Sequence, residues 1–165
     1  MKNGQLLSQP FVYISALIIG ALIIIFGARA IGDIDKERKN IELATFITSL
    51  RDNVNTYYNF DEGSSKKISL YIPDNVDRVC FYNKDKIINA DIEEFFKKLL
   101  ELDTINNVYL LPFGENLKSE FFINHLRNEE ENPLCFDVKG RLNALIETKA
   151  SNNEIYVEIK NGQGN

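Results

Sequence analysis

FVYISALIIGALIIIFGA, residues 11–28, is a run of eighteen consecutive positions without a charge, closed by Arg29. At about 1.5 Å of rise per residue, a helix from Pro10 to Ile31 covers roughly 30 Å, the hydrocarbon thickness of a bilayer. A core helix of a small soluble domain would be shorter and would carry a polar face, which this stretch lacks. A secretory signal has an apolar stretch of only about 7–15 residues, and cleavage after Ala28 or Ala30 would cut into a helix that runs on past them. The sequence therefore predicts an uncleaved, single-pass membrane anchor over residues 11–31, preceded by a short segment 1–10.

Ser8-Gln9-Pro10 is a sound helix start, with a capping side chain and a Pro whose fixed φ suits the first turn. Within the anchor, Ala16, Gly20 and Gly27 fall at spacings of four and seven, on one side of the helix. Small residues so placed let a second helix approach closely, although Gly and Ala are common in membrane helices without such a partner. Beyond the charged stretch Asp33–Asn40, apolar residues recur at Leu43, Phe46, Ile47, Leu50, Val54, Tyr57 and Tyr58. That three-four spacing predicts an amphipathic helix over residues 32–62, with Gly32 as a hinge at its start and Gly63 ending it.

Residues 63–160 read as one small α/β head, and 161–165 as a flexible tail. Lys67–Ile72 alternates apolar and polar positions, the mark of a half-buried strand, and Arg78–Tyr82 is a second strand. Asp91-Ile92-Glu93-Glu94 suggests a capping box opening a helix over Ile92–Leu102, with Phe95, Leu99 and Leu102 on one face. Val108–Leu111 is wholly apolar, as expected of a central strand. Glu115–Arg127 is weakly helical. Leu134–Val138, Leu142–Thr148 and Ile155–Ile159 follow, separated by turns at Lys139-Gly140 and Ser151-Asn152-Asn153, and predict an antiparallel meander. The expected class is α+β: a long N-terminal helix followed by a small mixed sheet with two helices.

A net charge of −5 and 26% charged residues argue against a nucleic-acid partner, which calls for a basic patch. The acidity is spread along the chain except at Glu129-Glu130-Glu131, which reads as a solvated loop. The two cysteines occupy matching frames, Val79-Cys80-Phe81 and Leu134-Cys135-Phe136, each pointing away from its apolar flanks. If the strands are neighbours, the sulfurs meet and close a loop of about 55 residues, stabilising the fold by roughly 4 kcal/mol. The alternative is a pair of small buried hydrophobes. Two such residues and one His, His125, do not make a metal site. His125 itself reads as a helix-surface residue. Gly63-Ser64-Ser65-Lys66-Lys67 lacks the frame of a phosphate loop. No catalytic constellation, cofactor or metal is expected.

Met1-Lys2-Asn3-Gly4-Gln5 is a short polar head set just before the apolar run. It resembles the signal of archaeal type IV pilin-like proteins, although position 3 is Asn where that family usually has a basic residue. The resemblance covers residues 1–31. It implies cleavage between Gly4 and Gln5 by a membrane peptidase on the cytoplasmic side, and an anchor that packs with other subunits. It also implies a head outside the cell. Arg29, Lys36, Arg38 and Lys39 follow the anchor while Lys2 alone precedes it, so the positive-inside rule taken by itself gives the opposite orientation. The expectation adopted is N-terminus inside and head outside, in a non-enzymatic pilin-like subunit whose partners are the bilayer and homologous subunits. Its alternatives are a monomeric membrane-tethered binding or accessory module and, least favoured, a membrane-bound enzyme.

Overall fold

A computed structural model of the chain describes residues 8–103, 105–113, 118–151 and 154–162. It divides into two units, Met1–Asn40 and Ile41–Asn165. Helix α1 spans Ser8–Tyr58, and Gly32 is helical like its neighbours. Among the described residues α1 is the one helix long and apolar enough to cross a membrane. Between Phe11 and Phe26 its twelve large apolar side chains are exposed. Gly4 and Gln5 lie outside the described residues.

In the second unit, the end of α1 buries the predicted stripe: Leu43, Phe46, Ile47, Leu50 and Val54 enter the core, with Tyr57 and Tyr58 packed against it. The helix stops where the Tyr57 carbonyl accepts from the Phe60 N–H at 3.0 Å and from the Thr148 hydroxyl at 2.6 Å. Gly63 follows with φ +87°, a conformation glycine adopts without steric cost.

Among the described residues, eight strands form two four-stranded sheets rather than the single sheet expected. They are β1 (Ser65–Tyr71), β2 (Arg78–Phe81), β3 (Val108–Leu111), β4 (Glu120–Phe121), β5 (Leu126–Arg127), β6 (Leu134–Asp137), β7 (Arg141–Ser151) and β8 (Glu154–Asn161). The first sheet has the order β1-β7-β8-β5 and is mixed, because β5 runs parallel to β8. The second, β4-β3-β2-β6, is antiparallel throughout. The predicted meander is thereby corrected, since β6 pairs with β2 and β7 with β1 and β8. The cause sits in the Lys139-Gly140 turn. The N–H of Ile72 donates to the Gly140 carbonyl at 3.1 Å, so β7 starts beside the end of β1 instead of folding back on β6.

The second sheet is covered on both faces. Val79, Phe81, Val108 and Leu110 join the main core with α1 and the first sheet. Cys80, Tyr82 and Tyr109 point the other way, under helix α2 (Glu94–Leu102). Double burial explains why Val108–Leu111 carries no polar residue. The α2 face differs from expectation: Phe96 and Leu100 are buried, with Leu99 beside them, while Phe95 and Leu102 are exposed. The helix begins two residues later than predicted, with Glu93 at the cap position and no capping side-chain bond.

The helix expected over Glu115–Arg127 is absent from its described part, 118–127. There β4 pairs with β3, and Leu110 donates its N–H to the Ser119 carbonyl at 2.8 Å. Pairing against a buried strand outweighs a weak helical propensity.

Cys80 and Cys135 face each other across β2 and β6 and are joined by a disulfide, with Cα atoms 4.0 Å apart. On the outward face of the first sheet, Glu147 and Glu158 stand directly opposite each other on β7 and β8. Two carboxylates so placed repel. Lys160 Nζ separates them, at 2.9 Å from Glu147 and 3.1 Å from Glu158, and Lys149 Nζ adds a contact to Glu147 at 2.8 Å. Hydrogen bonds from Lys149 and Lys160 hold the Glu147 carboxyl below its ordinary pKa.

Two outcomes follow from these bonds. The Cys80→Ala/Cys135→Ala variant, studied in detergent by denaturant unfolding, is expected to lose about 4 kcal/mol for a closed loop of this length. A group whose pKa is depressed on folding stabilises above its unfolded value and loses that contribution as pH falls through the folded one. Glu147→Gln is therefore expected to be less stable than the parent at pH 7. The gap should close as pH falls below the ordinary value of 4.5, when thermal midpoints are measured against pH.

Candidate functional site

The end of α1, the loop after β2, the turn before β3, the β4–β5 loop and the start of β8 line an open cleft of about 500 Å³. Its walls are made by aromatic and amide side chains, and the amides are fixed by bonds to their own or neighbouring loops.

Asn83 and Asn132 form the first clamp. The Asn83 N–H donates to Asn132 Oδ1 at 2.8 Å, and Asn132 Nδ2 donates to the carbonyls of Asn83 at 2.8 Å and Lys86 at 2.9 Å. Asn83 Nδ2 reaches the Asn128 carbonyl at 3.2 Å, while its Oδ1 accepts from the Asp85 N–H at 3.1 Å. Asn107 forms the second clamp. Its Nδ2 donates to the carbonyls of Ile123 and Leu126, and its Oδ1 accepts from the Ile123 N–H at 2.8 Å. Asp103 pins the lip between them, accepting from the N–H groups of Ile105 and Asn106 and from the Asn106 amide at 2.8 Å. Burial alone would raise the Asp103 carboxyl; these donors outweigh it and hold the pKa below the usual range.

His125 is not on a helix, which corrects the sequence reading. Its φ of +62° makes it the one non-glycine residue in the left-handed region among those described. Its carbonyl accepts from the Val157 N–H at 2.8 Å, beside the parallel β5–β8 pairing. Its ring lies flat on Tyr58, with centroids 3.6 Å apart and planes 15° from parallel. Asn124 accepts from the His125 N–H through Oδ1 at 3.1 Å, and its Nδ2 lies 2.9 Å from the His125 Nε2. The local bend and the stack thus fix one wall.

Charge in the cleft is balanced. Lys84 and Arg127 offset Asp85 and Glu154, and Arg127 Nη2 is 2.7 Å from Glu154 Oε2. Arg127 also lies over the Tyr156 ring, 5.2 Å from its centroid. Burial raises the pKa of the Tyr82 and Tyr156 phenols, with nearby carboxylates adding to the effect, so both stay protonated donors at neutral pH.

The other residues singled out from the sequence lie elsewhere. Ala16 sits on the exposed apolar part of α1, and an added Cβ at Gly20 or Gly27 would meet nothing within 4 Å. Cys80 and Cys135 lie beneath α2. Within Glu129-Glu130-Glu131, Glu129 pairs with Lys86 and the Glu131 carbonyl accepts from Asn128. Among the described residues no group of carboxylates, His and Cys is arranged to hold a metal. The asparagine clamps escaped the sequence reading; Asn132-Pro133 and Asn106-Asn107 were their only local signs.

The chain matches no family model, and no curated protein and no solved structure matches it.

Because asparagine tolerates a left-handed backbone and a β-branched residue does not, His125→Val is expected to be less stable than His125→Asn by about 1–2 kcal/mol. Both variants lose the stack on Tyr58, so the difference in their unfolding free energies isolates the backbone cost.

Proposed function

We propose that this chain is a single-pass, membrane-anchored, non-enzymatic subunit of the pilin-like kind, with its N-terminus in the cytoplasm and its head outside the cell. The observation that carries the proposal is α1. One helix holds an exposed apolar stretch long enough for a bilayer and, at its other end, the stripe that fills the core of an α+β head. A disulfide between β2 and β6 suits an oxidising compartment, which agrees with an external head. The side of the anchor bearing Ala16, Gly20 and Gly27 is where a neighbouring subunit's helix would approach.

The aromatic cleft favours a second reading, a monomeric membrane-tethered binding module. The two differ at the N-terminus and in assembly. For the pilin-like subunit, the intact mass of protein extracted from membranes is expected to lack residues 1–4 and begin at Gln5. An impermeant thiol reagent applied after reduction of intact cells should label Cys135, the half-buried member of the pair. A mass that retains Met1, together with a single monomeric species in detergent, would instead favour the tethered module.

A further inference from the structure

We propose that the cleft binds a neutral saccharide, one or two sugar units of a glycan. Its volume of about 500 Å³ suits a small ligand. Its two cations are matched by two carboxylates, one pair of them in direct contact, so the lining offers no net charge to an ionic ligand. What remains are phenol hydroxyls, which donate and accept, and the amide oxygens of Asn83 and Asn107, which each accept one bond and have a lone pair to spare for a hydroxyl group. Phe122 stands at the cleft with half its surface exposed, and gives the apolar C–H face of a pyranose ring a flat surface to pack on. Asn83 and Asn107 are already held by bonds to neighbouring loops, so little side-chain freedom is lost on binding.

A peptide is the other occupant to consider, and the strand pattern disfavours it. The sheet edge beside the cleft is β5, with two residues in its ladder, too few for an added strand to register upon. The inference concerns Ile41–Asn165 alone and does not depend on N-terminal processing, so the two proposals fail separately.

The test is ligand-observed saturation-transfer NMR on the full chain in a detergent without a sugar head group. The probes are chitobiose, cellobiose, mannobiose and an uncharged, blocked tetrapeptide. At least one disaccharide is expected to bind saturably at millimolar concentration or below. Phe122→Ala should weaken that binding about fivefold, the value of one aromatic contact. Tyr58→Phe, which keeps the ring stacked on His125 and removes only a hydroxyl, should also weaken it without changing the thermal midpoint. Phe95→Ala, an exposed aromatic on α2, should leave it unchanged. Absence of saturation by every disaccharide, preference for the tetrapeptide, or equal binding by Phe122→Ala and the parent would overturn the proposal.

Discussion

Everything in the head depends on burying one helical stripe. Leu43, Phe46, Ile47, Leu50 and Val54 share a core with residues from both sheets. Neither sheet closes this core alone, because each brings only one face to it: the first sheet turns ions outward on its other, and the second turns its other toward α2. Leu50 and Val54 are fully buried, and truncating such a side chain to Ala typically costs about 2–5 kcal/mol, a large part of a domain's net stability of about 5–15 kcal/mol. The bonds from Phe60 and Thr148 to the Tyr57 carbonyl mark where this helix ends, and so where the chain enters β1.

The same helix carries an apolar burden that the protein does not cover. At roughly 1.5–3 kcal/mol for burying each large apolar side chain, the twelve exposed between Phe11 and Phe26 represent about 18–36 kcal/mol. That exceeds the net stability of an ordinary domain. Such a stretch calls for apolar surroundings, and a lipid bilayer supplies them over the required length. The exposed apolar residues and the residues that fold the head are thus separate sets along one helix.

Where local pattern and burial agree, the sequence was legible. The three-four stripe from Leu43 to Val54 has no competing arrangement, and Val108–Leu111 is apolar throughout because one face meets the main core and the other meets α2. The frames around Cys80 and Cys135 could be read for side-chain direction, but not for whether β2 and β6 were neighbours. Failures came where distant partners decide. The partition into two sheets rests on the bond from Ile72 to Gly140, sixty-eight positions along the chain, and the fate of residues 118–127 rests on β3 and Asn107. On α2 it is packing onto Cys80, Tyr82 and Tyr109 of the second sheet that buries Phe96 rather than Phe95.

The candidate site was illegible for a related reason. Asparagine abundance carries no functional meaning in a composition, yet Asn83, Asn107 and Asn132 are each tied to segments between sixteen and forty-nine positions away. A planar amide donates and accepts at once, so one such residue can satisfy the backbone of a neighbouring loop without adding charge. Buried backbone groups need these partners, since a loop crossing a packed edge has no ladder to supply them. The outcome is a set of irregular segments bonded to one another, around a space that the core does not fill. His125 belongs to the same construction: the left-handed bend carries the chain into β5, and its ring is thereby laid against Tyr58, joining the end of α1 to the cleft. Rigid loops around an unfilled aromatic space are costly to build for stability alone, because every clamped residue gives up conformational entropy that a shorter connection would not have to lose. That cost is better understood if the shape of the cleft is itself what the loops maintain.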